Sequence, residues 1–115
     1  MTNATPDNRQ ARIRNLNDGF RRDPSKGKIH ITDGAIGAIY KTGLDLVLKQ
    51  ISEHRSFDDG NDPYKEHDFG SLQLGSEKLW WKIDYYAPDL EHGSDDPADP
   101  SSTTRVMTIM TPEEY

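Results

Sequence analysis

Two strand-like runs, about Glu66 to Leu74 and about Lys78 to Tyr86, flank Gly75-Ser76-Glu77. They constrain the fold more than any other feature. Two alternating runs joined by a short glycine-containing connection predict an antiparallel hairpin. Successive side chains of a strand point to opposite faces, so the sequence also assigns the faces. If Leu79, Trp81 and Ile83 turn inward, then Trp80, Lys82, Asp84 and Tyr86 turn outward. Leu72 and Leu74 belong inside, which sends His67 and Phe69 to the outward face. A lone hairpin is marginal in water, so the rest of the chain must cover its apolar side.

That cover comes from patterns elsewhere. Arg9 to Arg22 carries Ile13, Leu16 and Phe20 at spacings of three and four, with Arg12, Arg14, Arg21 and Arg22 on the other face. This predicts a first helix, ended by Asp23-Pro24. Lys28 to Thr32 alternates and reads as a strand, with Ile29 and Ile31 inward and Lys28, His30 and Thr32 outward. Asp33-Gly34 breaks the pattern, and Gly34 and Gly37 are expected to shape a turn. Leu44, Val47, Leu48 and Ile51 then mark a helix over about Thr42 to His54, capped by Thr42 or a neighbour. Asp58 to Pro63 and Pro88 to Ser102 are loops by composition. Thr103 to Met110 is a last strand, closed by Pro112.

The expected fold is α+β, in the order α-β-α-β-β-β. It has two layers, a four-stranded, mainly antiparallel sheet with two helices on one face. Residues 1–7 are expected to form a flexible arm, and residues 8–115 a single domain with an acidic loop over 87–102.

Composition narrows the function classes. A chain of 115 residues holds one modest core. Cysteine is absent, which excludes disulfides, thiolate zinc sites and cysteine nucleophiles. No apolar run approaches the roughly 20 residues needed to cross a bilayer, and no apolar signal core follows Met1. A soluble cytoplasmic protein without membrane contact is the expectation. The net charge of -6 is uneven: residues 1–56 hold 10 Lys/Arg against 6 Asp/Glu, and residues 57–102 hold 3 Lys against 12 Asp/Glu. The acidic segment argues against nucleic acid as a direct ligand and suits a basic protein surface, although solubility alone is also a sufficient reason for it.

No motif specifies a reaction or a cofactor. Asp68-Phe69-Gly70 copies the metal-binding triplet of kinases, but no glycine-rich nucleotide loop precedes it. Gly34 to Thr42 lacks the glycine that a phosphate loop needs before its lysine, where Tyr40 stands instead. Asp95, Asp96 and Asp99 lie among prolines without the glycine and glutamate of a calcium loop. They read as caps of turns in a solvated loop.

If the chain is an enzyme, the candidate catalytic residues are His67, Asp68, Asp84, Lys82 and Arg105. Imidazole and carboxylates on adjacent strands can hold a divalent ion or act as base and orienter, and the two cations can meet an anion. The structural alternative is a hydrogen-bonded cluster that fixes the hairpin register, with Arg105 paired to Asp84 or a loop aspartate. For a binding function the candidates are Phe69, Trp80, Lys82 and Tyr86 on the outward face, with Asp95, Asp96 and Asp99 in the loop. Aromatic residues on an open sheet can also stack on bases.

Several strings together carry a resemblance: Asn61-Asp62-Pro63, Glu66-His67-Asp68-Phe69-Gly70, Trp81-Lys82-Ile83-Asp84-Tyr85-Tyr86, Asp96-Pro97-Ala98-Asp99-Pro100, Thr104-Arg105-Val106, and Thr108-Ile109-Met110 with Glu114-Tyr115. From about Ala11 to Tyr115 the chain resembles a family of short bacterial proteins known only as a domain of unknown function, common on plasmids and other mobile elements. The resemblance implies a compact single domain and a setting of conflict with host defence. It brings no reaction, cofactor or catalytic residue. The function expected is a small acidic module that binds a protein partner, for instance as an inhibitor of a nucleic-acid-handling or host-defence enzyme. The alternative is a metal-dependent hydrolase or nuclease built on the His/Asp cluster.

Overall fold

The computed structural model describes residues 6–115; most of the expected arm over residues 1–7 lies outside them. The described elements are α1 (Pro6–Arg22), β1 (Lys28–Ile31), α2 (Asp33–Thr42), α3 (Leu44–Glu53), β2 (Phe69–Leu74), β3 (Glu77–Tyr86) and β4 (Thr104–Met110), with short 3-10 turns between or after them. The sheet order is β1-β4-β3-β2.

The hairpin forms as its alternation predicts. Leu74 pairs with Glu77 across a two-residue turn, and Phe69 pairs with Lys82. Gly75 sits at φ +61, a conformation glycine adopts without steric cost. Leu79, Trp81, Ile83, Leu72 and Leu74 join Met107 and Ile109 in one buried cluster with Phe20 of α1, Ala35, Ala38 and Ile39 of α2, and Val47 and Ile51 of α3; Ile29 and Ile31 pack against it. The apolar face of the sheet is thus the face that meets the helices. Trp81, fully buried, lies over Gly70, where a Cβ would come within 2.6 Å of the indole. The glycine makes room for the largest side chain of the core.

Two expectations are corrected. The sheet is mixed: β2–β3 and β3–β4 are antiparallel, but β1 runs parallel to β4. The helical crossover from β1 delivers β2 at the far edge of the sheet, running in the same direction. Two reversals, β2 to β3 and β3 to β4, then bring the last strand back parallel beside the first. Three helices also stand where two were expected, because residues 33–42 are helical and do not form a turn. Thr32 caps α2 by accepting from the Ala35 amide (3.3 Å), and Ala35, Ala38 and Ile39 bury one face of it. Gly34 and Gly37 lie on its exposed side, where their low helix propensity is outweighed by this burial and capping. Thr32 is therefore a cap and not a member of the outward strand face, and α3 begins after Gly43 at φ +97 instead of at Thr42.

Among the described residues, no helix is long and apolar enough to cross a membrane.

Candidate functional site

Cross-strand register places the outward residues in rows. Phe69, Lys82, Thr108 and His30 form one row; Ser71, Trp80 and Met110 a second; Asp84, Val106 and Lys28 a third; Tyr86 and Thr104 a fourth. All lie on the face away from the helices. The acidic loop reaches over one end, where Leu90 joins Tyr86, Lys28, His30, Val106 and Thr108 around a groove of about 430 Å³. At the centre, Lys82 pairs with Asp84, and both side chains keep about a third of their surface exposed (31% and 38%).

Aromatic rings fill the other end. Phe69 and Trp80 meet edge to face (centroids 5.2 Å, 74°), Trp80 and Tyr115 do the same (5.4 Å, 74°), and Phe69 and Tyr115 lie 5.9 Å apart at 60°. The three rings stand as walls of a corner and do not present one flat stacking surface. Tyr64, well exposed, and Asp68 complete a cleft of about 370 Å³ with them and Lys82. Asp68 is held there by its backbone, whose carbonyl accepts from the Ile83 amide (2.8 Å). Among the described residues no side chain donates a hydrogen bond to its carboxylate. Burial, and then the charges of Glu66 and Asp62, push that carboxyl above the usual aspartate range, against the weaker pull of its own amide and of Lys82. Burial alone would lower the Lys82 ammonium, but the bond to Asp84 and the charges of Asp84 and Asp68 outweigh it and hold it above its ordinary value.

The catalytic candidates do not converge. His67 precedes β2, has φ +55 and turns to the helix side of the sheet, not to the outward face. Its Nδ1 lies 3.0 Å from Asp18 of α1, its Nε2 lies 3.8 Å from Asp62, and its ring stacks on Phe57 (3.9 Å, 5°). Burial pushes Asp18 up, but hydrogen bonds from Arg21 and His67 outweigh it and hold the carboxyl below its usual value. Asp84 is on the opposite face, paired to Lys82. Arg105 meets neither Asp84 nor a loop aspartate. It is buried, donates through Nε to Asn17 Oδ1 (2.6 Å) and through a terminal nitrogen to the Pro97 carbonyl (2.6 Å), and lies over the Tyr85 ring. Asn17 in turn donates to the Glu66 carbonyl (2.9 Å) and to Tyr85 Oη (2.8 Å), and Tyr85 donates to Glu66 (2.7 Å). Burial and the Glu66 carboxylate push the Tyr85 phenol far up. This network ties α1 to β3 and β4. Among the described residues, no group of three or more His, Asp or Glu side chains is placed to hold a metal ion.

Asp96 and Asp99 are turn caps, as their prolines suggest. Asp99 accepts from Ser101 N and Oγ, and Asp96 accepts from Ala98 N and from Arg9 (2.5 Å). Asp95 is exposed. Arg12 and Arg14 of α1 reach the carbonyls of Ala98 and Lys65. Arg21 is buried, where an outward basic face was expected, and caps α3 by donating to the Ile51 and His54 carbonyls (2.6 and 3.0 Å). The basic helix therefore lies against the acidic loops, with an ion pair from Arg9 to Asp96 and bonds to loop carbonyls. No pattern in the sequence marks Tyr115 or Tyr64 as part of a site, because both lie outside the alternating strands.

Fold and surface together define a small mixed α+β domain with one face of its sheet open and an aromatic corner at one end of that face. A family model described as a protein of unknown function, DUF3768, matches residues 31–114. The chain belongs to that family. The match begins at the last residue of β1, later than the resemblance near Ala11, and ends at Glu114, so it contains the cleft residues except Tyr115 and does not contain α1. No curated protein and no solved structure matches the chain.

Proposed function

We propose that this domain is a non-enzymatic interaction module that binds a protein partner through the open face of its sheet. The observation that carries the reading is the aromatic corner of Phe69, Trp80 and Tyr115 on that face, next to a carboxylate to which no side chain among the described residues donates. Aromatic side chains at a surface supply large contact area at low conformational cost, and they dominate the energetics of protein interfaces. The acidic loop lends less support, since Asp96 and Asp99 are engaged by Arg9 and by turn amides. A metal-dependent hydrolase built on His67, Asp68 and Asp84 also draws less support, since His67 faces α1 and Asp84 lies on the other face of the sheet. A nucleic-acid-handling or host-defence enzyme is the kind of partner this surface suits, because such enzymes expose arginine and lysine where they meet phosphates.

Affinity capture from the native host tests the reading. The tagged wild-type chain is expected to retain a protein that a Trp80→Ala, Tyr115→Ala double variant of unchanged circular dichroism loses. Equal capture by both proteins would remove the open face from the account.

A further inference from the structure

The cleft at the aromatic corner has a chemistry of its own. Three rings in mutual edge-to-face contact, with centroids 5.2 to 5.9 Å apart, form an aromatic wall of the cleft. A nucleobase stacks on an exposed flat ring face, and rings that meet edge to face offer little of that. A compact cation needs no wide platform and is attracted by a single electron-rich face of Trp, Tyr or Phe within about 6 Å. Asp68 supplies a negative charge in the same cleft, and no side chain among the described residues donates to it. Lys82, the cation that lines the cleft among the described residues, is already bonded to Asp84. Counting Asp68, Asp84 and Lys82, the cleft is left with one uncompensated negative charge, which repels phosphate and attracts an ammonium or guanidinium group. A cleft of about 370 Å³ has room for the end of such a side chain.

We infer that the cleft between Trp80, Tyr115, Phe69 and Asp68 takes a cationic side chain, arginine or lysine, presented by a partner protein. The inference rests on the protein-binding reading above and gives it a chemistry. Aromatic faces contribute the cation–π attraction, and Asp68 contributes a charge-assisted hydrogen bond. The Asp68 carboxylate is held at a cost to the fold, being half-buried and near Glu66 and Asp62, with no side-chain donor among the described residues. A bound cation relieves that cost, so binding and the strain on this residue have the same origin.

Tryptophan fluorescence provides the test, since Trp80 lines the cleft and Trp81 is buried in the core. The probes are blocked Gly-Arg-Gly and Gly-Lys-Gly peptides, the uncharged citrulline analogue of the first, and single-stranded oligothymidine. Both cationic peptides are expected to change the signal saturably, and the citrulline peptide and the oligonucleotide are not. Asp68→Asn is expected to weaken the cationic peptides by about tenfold, toward the citrulline level, and Tyr115→Ala to weaken them by about fivefold. Equal binding of arginine and citrulline peptides, binding of the oligonucleotide in their place, or an unchanged affinity in Asp68→Asn would each overturn the inference. If the peptides fail but captured protein is still lost on removing Trp80 and Tyr115, the partner reading stands and only the cationic ligand falls.

Discussion

At the residue scale, polar side chains inside the protein divide into those that hold the fold and those that strain it. Asn17 belongs to the first group: fully buried, it joins Arg105, Tyr85 and the Glu66 carbonyl. Asn17→Ala should destabilise the domain by about 3 kcal/mol in denaturant unfolding, because it leaves the Arg105 Nε–H and the Tyr85 hydroxyl short of partners in a buried setting. Asp68 belongs to the second group. Its carboxyl is raised in the folded state, so folding favours the protonated form, and its contribution to stability falls as pH rises from the ordinary aspartate value through the raised one. Asp68→Asn should therefore raise the melting temperature at neutral pH. The gain should vanish near about pH 3, where the carboxyl is protonated in both folded and unfolded states. A melting temperature that drops at neutral pH would contradict the strain assigned to this residue. Alternation placed Phe69, Trp80, Lys82, Asp84 and Tyr86 on the outward face, and register confirms the set. His67 escaped the same rule because the strand begins two residues later and a positive φ turns its ring around. A period of two carries no information once the backbone leaves the extended region.

At the scale of elements, the short helix α2 is the one that local pattern hid. Its two glycines argue for a turn, and the groups that secure it come from distant parts of the chain. Glu114 accepts from Thr32 Oγ1 (2.5 Å) and the Gly34 amide (3.0 Å) at the start of α2, and from Thr111 N and Oγ1 (both 2.9 Å) in a capping box of its own. The hydrogen bond from Thr32, with those from Thr111 and Gly34, lowers its carboxyl from 4.5 to about 2. A group whose folded value is depressed stabilises the fold above its unfolded value and loses that contribution as pH falls through the folded one. Acid titration should show α2 loosening between 4.5 and about 2, read as faster amide exchange at Ala35 and Ile36. Glu114→Gln should give the faster exchange already at neutral pH and flatten its dependence over that window. The parallel pairing of β1 with β4 was hidden for a related reason. Strand direction within a pair depends on which strands become neighbours, and the pairing of β1 with β4 joins distant parts of the chain that local alternation does not link.

At the scale of the whole molecule, the contrast between a basic first half and an acidic middle looks in the sequence like a surface for partners. In the fold, α1 lies against both acidic loops through Arg9, Arg12 and Arg14, so part of the contrast is met within the molecule. What remains for a partner is the side of the sheet that three helices leave uncovered. The hairpin pattern shows that side, while its cleft depends on Tyr64 and Tyr115, two side chains brought in from loops. The most direct test of the cleft reads the two indole N–H signals by nuclear magnetic resonance as the Gly-Arg-Gly peptide is added. The Trp80 signal is expected to shift saturably while that of buried Trp81 stays in place. A Trp80 signal that does not move, or a shift at Trp81 alone, would contradict cation binding in the cleft.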